Sequence, residues 1–337
     1  ALEDLEEAKE QIYELKSHPR GPLKVSLPLS LGVKYLGQAV AQFAFSDRAF
    51  QGLLLLAALS VSAGLAAEIV VVDGSGARVA LAQPAQRIVS MSPHLTELLF
   101  AVGAGSQIVA TVDYSDYPPA ALAIPRIGSN NAISYESIVG LSPDLVLAWQ
   151  SGNGGEMIAR LRGLGLTVYV DEPDSLEAIA ETLGNLGQLA GTQRQANYVQ
   201  NRYWQKLSDL RRLYSQQRPL SVFYQIWNEP LLSVNGEHLI SDVIQLCGGR
   251  NVFADALPLV PKLSIETVIA LNPQVIVASG EERQRREWLK AWQAWPMLEA
   301  VKAGRLYFVP ASLLQRHTPR MLEGAELLCR QLEEGRR

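Results

Sequence analysis

Side chains that could perform chemistry are scarce and dispersed in this 337-residue chain. It has two cysteines, whereas a thiolate zinc site or an iron–sulfur cluster needs about four, so both are excluded as all-cysteine sites. The sequence contains no HExxH pair, no GxSxG nucleophile elbow and no carboxylate pair that we can assign to glycoside cleavage. We therefore predict that the protein is not an enzyme and holds no resident metal or cofactor. An exported hydrolase and a metal-ion carrier are kept as remote alternatives.

Composition limits the class of protein further. The net charge is −4, from 30 basic and 34 acidic residues, and this excludes the basic surface that nucleic-acid binding requires. The length is enough for two domains of roughly 150 residues. Hydrophobic residues make up 48% of the chain, so two sizeable cores can form.

An apolar segment near the N-terminus indicates export. Arg48 is followed by a charge-free run of 19 residues, 49–67, with small residues at Gly64 and Ala66. A positive residue, an apolar stretch and a small-residue exit are typical of a secretory signal, which we expect to be cleaved, although the length also suits a membrane anchor. Because no cysteine precedes Cys247, no lipobox follows the signal. We therefore predict a free periplasmic protein, not a lipoprotein, with residues 1–66 as an N-terminal extension plus a signal whose hydrophobic core is about 49–66.

Export also affects how the two cysteines are interpreted. In an oxidising compartment two cysteines usually pair, and a Cys247–Cys329 disulfide would close a loop of about 80 residues, which stabilises the fold by about 4 kcal/mol in the chain-entropy model. Two buried free thiols are the alternative.

The remaining chain alternates predicted strands and helices, which indicates a mostly parallel sheet. Residues 134–148 (SYESIVGLSPDLVLA) resemble residues 264–278 (SIETVIALNPQVIVA), with five identities at a constant offset of 130. Between these repeats, residues 193–216 lack Gly and Pro and have helical spacing of apolar residues. We predict an α/β fold of two Rossmann-like lobes, 67–174 and 220–337, joined through a helical segment, 175–219, by a single long helix.

The chain resembles the helix-linked substrate-binding proteins of ABC importers, and within them the cobalamin-binding branch. Some of the matching stretches are shared with siderophore and haem binders. The Tyr-Ser-Asp-Tyr-Pro-Pro stretch, the Leu-Ala-Trp strand end and the LCGG cysteine with its late partner are closer to the cobalamin branch. The matching stretches are RIVSMSPHLTELLFAVGAG (87–105), VDYSDYPP (112–119), YESIVGLSPDLVLAW (135–149), LCGGRNVF (246–253) and LSIETVIALNPQVIV (263–277).

The resemblance implies a periplasmic protein that captures cobalamin or a related corrinoid between its lobes and delivers it to an inner-membrane ABC importer. It also implies a disulfide at Cys247 and Cys329. The expected partners are the corrinoid and the membrane permease dimer, with no nucleic acid, and the protein is expected to be a monomer. A ferric siderophore or haem binder of the same family is the alternative, although a siderophore site usually needs several arginines.

Residue types and the resemblance together predict the ligand site. Tyr114 lies in a loop after a strand, and Trp149 and Trp227 each come at or just beyond a strand end, where α/β sheets present ligands. Packing within each lobe is the alternative for all three. By position, the resemblance adds a C-terminal loop. Its members are Leu313, Leu314, Gln315, Arg316 and His317. Aromatic positions of the best-known family member are occupied here by Asn130, Val260 and the pair Leu313–Leu314.

Two repeat-related carboxylates have two compatible interpretations. Glu136 and Glu266 each follow a serine by two residues, so each lies in the first turn of a predicted helix, where an acid favours the helix dipole by roughly 0.3–1 kcal/mol. The resemblance implies that one glutamate per lobe docks on an arginine of the two-fold membrane transporter.

Overall fold

A computed structural model describes residues 68–129 and 131–337. The predicted signal segment and Asn130 lie outside the described residues. Among the helices that the structure describes, none combines the length and apolarity needed to cross a membrane. The described elements belong to one compact unit, Ala66–Arg337.

Lobe one is built on a four-stranded parallel sheet with the order β4-β3-β7-β8. A hairpin of β1 and β2 precedes it, and a short hairpin of β5 and β6 follows β4. Its strands are β1 (Ile69–Val72), β2 (Arg78–Leu81), β3 (Ile88–Ser90), β4 (Ile108–Ala110), β5 (Gly128–Ser129), β6 (Ala132–Ile133), β7 (Leu145–Trp149) and β8 (Val168–Asp171). Its helices are α1 (Pro93–Ala101), α2 (Tyr135–Gly140), α3 (Gln150–Asn153) and α4 (Gly155–Gly163).

Side chains alternate between the two faces of the sheet along each strand. Both faces of this sheet are buried, as is usual for parallel sheets. In β7, Leu145 and Leu147 join one core cluster, whereas Val146 and Ala148 join the cluster on the opposite face. The near-continuous apolar sequence of this strand thus reflects a position in the interior of a parallel sheet.

Two helices connect the lobes. The first, α5 (Leu176–Leu189), ends at a turn in which Gly191 has φ of 71°, and α6 (Gln193–Tyr214) follows. The long helix predicted over 193–216 is present, but it ends two residues earlier, at Tyr214, where the hydroxyl of Ser215 donates to the carbonyl of Arg211. In α6, Ala196 packs with the lobe-one core, and Tyr203 and Leu207 pack with the lobe-two core. The connection is therefore anchored in both lobes.

Lobe two repeats the parallel arrangement, with the strand order β10-β9-β11-β12. The repeated sequences form α2–β7 in one lobe and α8–β11 in the other, and β7 and β11 take the same third place in their sheets. The strands are β9 (Leu220–Gln225), β10 (Gly249–Asn251), β11 (Val275–Ala278) and β12 (Leu306–Phe308). The helices are α7 (Leu239–Leu246), α8 (Ile265–Leu271), α9 (Arg285–Gln293), α10 (Glu299–Lys302), α11 (Ala311–Leu314) and α12 (Met321–Arg336).

This architecture confirms the predicted α/β fold with two mostly parallel sheets joined by a long helix. The domain boundaries at residues 174 and 219 stay predictions. The predicted disulfide is also confirmed: Cys247, which caps α7, is bonded to Cys329 in α12, and both residues are fully buried.

Candidate functional site

The loop after β4 presents Tyr114 to solvent. Ser115 is fully buried, and its hydroxyl accepts a hydrogen bond of 2.8 Å from Thr111. Arg126 donates a bond of 2.8 Å to the carbonyl of Ser115. With Ser115 held inward, the flanking Tyr114 side chain is 82% exposed and Tyr117 is 41% exposed. The Tyr114 side chain is therefore open to solvent rather than packed within the lobe.

Trp149, at the end of β7, belongs to an aromatic cluster that involves both lobes. Its ring lies 5.2 Å from the ring of His94 and 5.9 Å from that of His317, edge-on to each, and the two histidine rings are 5.4 Å apart. The backbone at Gly152 passes so close that an added Cβ would lie 1.9 Å from the indole ring. A glycine is therefore required in this loop for Trp149 to keep its place.

His94 is fixed by polar partners on both sides of its ring. It lies in the first turn of α1 and is buried, with Nδ1 2.5 Å from the Ser92 hydroxyl and Nε2 3.1 Å from the Asp171 carboxylate. Asp171 ends β8 and also accepts a hydrogen bond of 2.8 Å from Thr182 in α5. This chain of bonds holds the His94 ring against Trp149.

His317 reaches the same cluster from the C-terminal loop of lobe two. Burial, reinforced by the neighbouring His94, lowers the pKa of His317 to about 3, so the ring is neutral at any physiological pH. Its Nδ1 is buried and has no hydrogen-bond partner in the structure. A neutral ring edge of this kind suits an uncharged ligand group.

Two arginines of lobe two hold carboxylates of lobe one. Glu97 in α1 is only 3% exposed, and it receives hydrogen bonds of 2.7 and 2.6 Å from Arg320 and of 2.6 Å from Thr318. These bonds to Glu97 raise the pKa of Arg320. Arg316 donates a bond of 2.6 Å to Asp116 in the Tyr114 loop. The C-terminal loop is therefore tied to lobe one through charges.

The other residues predicted in this loop have different environments. Leu313 is half-buried, whereas Leu314 is fully buried in the core of lobe two, so its side chain is closed to a ligand in this conformation. Gln315 turns inward and donates to the carbonyl of Ser279 at 3.1 Å. Only part of the predicted loop therefore faces the space between the lobes.

Trp227 lies just beyond β9 and is 48% exposed. Its indole nitrogen donates a hydrogen bond of 2.9 Å to the carbonyl of Glu229, and its ring meets the edge of Trp288 at 6.1 Å. One face is therefore supported from within lobe two while much of the ring stays open to solvent.

Glu136 and Glu266 lie in the first turns of α2 and α8 and are exposed. The preceding serines cap these helices: Ser134 accepts from the Ser137 backbone at 3.2 Å, and Ser264 accepts from that of Thr267 at 3.3 Å. Hydrogen bonds from its own backbone N–H and from Ser264 lower the pKa of Glu266. Both carboxylates therefore lie on exposed helix starts that the serines cap.

Sequence reasoning missed Glu97 and Arg320 and gave His94 and Asp171 no place in the site. A single glutamate in the apolar run LTELLF signals a buried charge that needs a partner, but nothing local indicates which residue supplies it. In the described ranges, 68–129 and 131–337, no group of three or more His, Cys, Asp or Glu side chains is arranged to hold a metal ion.

Comparison with known proteins identifies relatives that share this architecture. A vitamin B12-binding protein of Vibrio cholerae serotype O1 is 38% identical over 250 residues, which cover 74% of this chain and 90% of that protein. The crystal structure of the periplasmic vitamin B12 binding protein BtuF of Vibrio cholerae superimposes with a TM-score of 0.71 and 37% identity, covering 75% of this chain and 99% of that one. The periplasmic heme-binding protein RhuT from Roseiflexus sp. RS-1, at 23% identity, TM-score 0.65 and coverage of 75% and 99%, shares the fold.

The family comparison covers both lobes. Residues 88–313, more than half of the chain, match the periplasmic binding protein family. This range begins at β3, the first strand of the lobe-one parallel sheet, and ends in α11 of lobe two. The chain belongs to the periplasmic binding protein family.

Proposed function

We propose that this protein captures cobalamin or a related corrinoid between its two lobes and delivers it to an ABC importer in the inner membrane. The observation that carries the proposal is 37% identity to a solved vitamin B12 binding protein across 99% of that chain. Exposed Tyr114 and Trp227 and half-buried Trp149, all near strand ends, support it, because aromatic rings bind a broad and largely apolar macrocycle well.

The proposed contacts divide between the lobes. Lobe one supplies Tyr114 and Trp149, and lobe two supplies Trp227, Leu313 and His317. Gln315 supports the C-terminal loop from inside lobe two through its bond to Ser279. Corrin side chains end in uncharged amides, which matches the neutral ring of His317.

Haem and ferric siderophores are the alternative ligands. The hydrogen bonds that the loop arginines already make disfavour both. An anionic chelate is usually bound by arginines with free donors. Arg126 donates hydrogen bonds to the backbone carbonyls of Ala121, Ile124 and Ser115. Arg316 and Arg320 are paired with Asp116 and Glu97. The chemistry of the loops thus favours a ligand without several carboxylates.

The rest of the proposal concerns context. We propose that the protein performs no chemistry, uses no cofactor, acts as a monomer, and is exported by a cleaved signal peptide without lipid attachment. Glu136 and Glu266 are proposed to dock on arginines of a permease dimer, one from each lobe. Their exposed positions at the starts of pseudo-symmetric helices support this.

Calorimetric titration of the purified protein with cyanocobalamin, hemin and a ferric hydroxamate tests the ligand. We expect tight binding of cyanocobalamin alone, and a Trp149→Ala variant should bind at least tenfold more weakly because it loses an aromatic wall. Trp204→Ala, in the long helix and away from the site, is the matched control and should bind normally. Binding of hemin or the hydroxamate without cyanocobalamin would reject the corrinoid assignment.

Binding to vesicles that contain the importer tests docking. The double variant Glu136→Gln with Glu266→Gln should bind the importer at least tenfold more weakly while its affinity for cyanocobalamin is unchanged, since two opposite-charge contacts are lost. Glu156→Gln with Glu287→Gln is the control, because these are also exposed first-turn glutamates, one in each lobe. Equal importer binding by both double variants would rule out the docking role.

A further inference from the structure

The backbone of Tyr114 adopts a conformation that tyrosine rarely takes. Its φ is 64°, in the left-handed region that disfavours residues with a Cβ, at a typical cost of about 1 kcal/mol or more. Such a conformation persists only when the surroundings hold it. The groups that hold it therefore control where the 82% exposed Tyr114 ring is presented.

Lobe one holds this loop at its centre and just before Tyr114, where the backbone N–H of Asp113 donates to the carbonyl of Gly128 at 2.9 Å. The hydroxyl of Ser115 is bonded to Thr111 at 2.8 Å, and its carbonyl accepts from Arg126 at 2.8 Å. The carbonyl of Tyr114 accepts from the backbone N–H of Asp116 at 3.0 Å, which closes the turn within the loop itself.

Lobe two completes the restraint through Arg316. One terminal nitrogen, Nη1, donates to the carboxylate of Asp116 at 2.6 Å, and the other, Nη2, donates to the carbonyl of Tyr114 at 3.1 Å. A guanidinium is a planar fork that can make two such bonds at once, whereas an ammonium cannot match both directions. Arg316, from the opposite lobe, therefore hydrogen-bonds the residues on both sides of Ser115, Tyr114 and Asp116.

The guanidinium is largely enclosed, and two of its N–H groups already donate to the Tyr114 loop. Its side chain is 16% exposed, and Nη1 also lies 3.9 Å from the buried carboxylate of Glu97. Both terminal nitrogens of Arg316 donate to the Tyr114 loop.

We propose that Arg316 is a positioning residue, which acts on ligand binding through Tyr114 rather than by touching the ligand. This rests on the proposed function for the identity of the ligand, but the restraint on Tyr114 exists without ligand. It replaces the prediction that Arg316 is itself a ligand contact. It also explains why a strained tyrosine lies where the two lobes meet.

A double-mutant cycle with cyanocobalamin separates the possible roles. Arg316→Met keeps the apolar stem but removes both donors, and it should weaken binding about tenfold. In a Tyr114→Ala background the same substitution should change the affinity less than twofold, because the side chain that it positions is gone. Arg212→Met, an exposed arginine on α6 that pairs with Asp209, is the control and should leave affinity unchanged.

Two results of this cycle would overturn the proposal. If the tenfold loss persists in the Tyr114→Ala background, Arg316 contacts the ligand directly. If Arg316→Met binds more tightly than the wild type, the arginine is a latch that the ligand must displace. Arg316→Lys, which keeps the charge but not the fork, serves if Arg316→Met does not fold, and the same pattern is expected with a smaller loss.

A measurement without ligand separates this inference from the proposed function. Fluorine NMR of the protein labelled with 3-fluorotyrosine gives a Tyr114 resonance that Tyr114→Phe assigns. We expect Arg316→Met to shift or broaden that resonance and Arg212→Met to leave it in place. An unchanged Tyr114 resonance in Arg316→Met would overturn the positioning role, whether or not the wild type binds a corrinoid.

Discussion

Arg320 donates hydrogen bonds of 2.7 and 2.6 Å to the two carboxylate oxygens of Glu97, and so joins the start of the C-terminal helix in lobe two to the first helix of lobe one. The guanidinium also lies 3.6 Å from the centre of the Tyr117 ring. Because Glu97 is nearly inaccessible to solvent, these partners replace the hydrogen bonds that water would make to its carboxylate. The pair thus fixes both the relation between the lobes and one edge of the Tyr114 loop.

The Glu97 contact should contribute strongly to stability. We expect Glu97→Ala to lower the free energy of unfolding by about 3 kcal/mol, since removing one member of a buried pair leaves the other charge without compensation. Urea unfolding followed by circular dichroism measures this. Asp209→Ala, which removes an exposed partner of Arg212, should cost less than about 0.5 kcal/mol. Similar losses in both variants would contradict the role assigned to Glu97.

Gly152 should affect ligand binding without touching the ligand. In Gly152→Ala the new Cβ would lie 1.9 Å from the Trp149 ring, so the indole must move, and we expect affinity for cyanocobalamin to fall about tenfold. Gly155→Ala is a matched control, because the nearest atom to its added Cβ is 3.7 Å away. Calorimetric titration of both variants checks this. Normal affinity in Gly152→Ala would show that the position of Trp149 is unimportant.

Stability should fall at acid pH, in part through His238. Its Nδ1 accepts a hydrogen bond from the backbone N–H of Ile240 and so caps α7, and burial lowers the pKa of His238 to about 4. Between about pH 6.5 and pH 4 the unfolded chain binds the proton and the folded ring does not. Stability from this group is therefore complete above about pH 6.5 and is lost as the pH falls to about 4.

His238→Asn isolates this effect, because asparagine also caps helices but does not titrate. Between pH 7 and pH 4 the wild type should lose about 2 kcal/mol more stability than the variant, less than the full pKa shift would give because the ring is only partly buried. Urea midpoints at a series of pH values measure the difference. Parallel pH profiles would exclude His238 as the cause.

The disulfide should stabilise lobe two substantially. Cys247 and Cys329 are 82 residues apart in sequence. In the chain-entropy model, closing a loop of this length lowers the entropy of the unfolded chain and so stabilises the folded protein by about 4 kcal/mol. Cys247→Ala with Cys329→Ala should therefore lower the unfolding free energy by about that amount. Urea unfolding of the wild type with a reducing agent, which reaches the buried bond once the chain unfolds, should show a similar loss, whereas the double variant should not respond to it. A double variant as stable as the oxidised wild type would contradict this prediction.

Local pattern was sufficient to predict much of this fold. The alternation of strands and helices was predicted, and the long helix α6 begins at residue 193, where the predicted stretch without Gly and Pro begins. Apolar periodicity and turn residues act between near neighbours, so they can be read from a short stretch of chain. The disulfide could be predicted because the chain offers only two cysteines.

The details of the site depended on tertiary structure. The rings of His94 and His317 come within 5.4 Å, Arg316 meets Asp116, and Leu314 is fully buried in the core of lobe two with Leu313 partly buried against it. These contacts depend on how the two sheets pack against the connecting helices. The sequence by itself determined two repeated α/β lobes, their family resemblance and the aromatic residues at their strand ends. Only the tertiary structure decided which charges face each other between the lobes, because contacts between segments some 200 residues apart leave no local pattern.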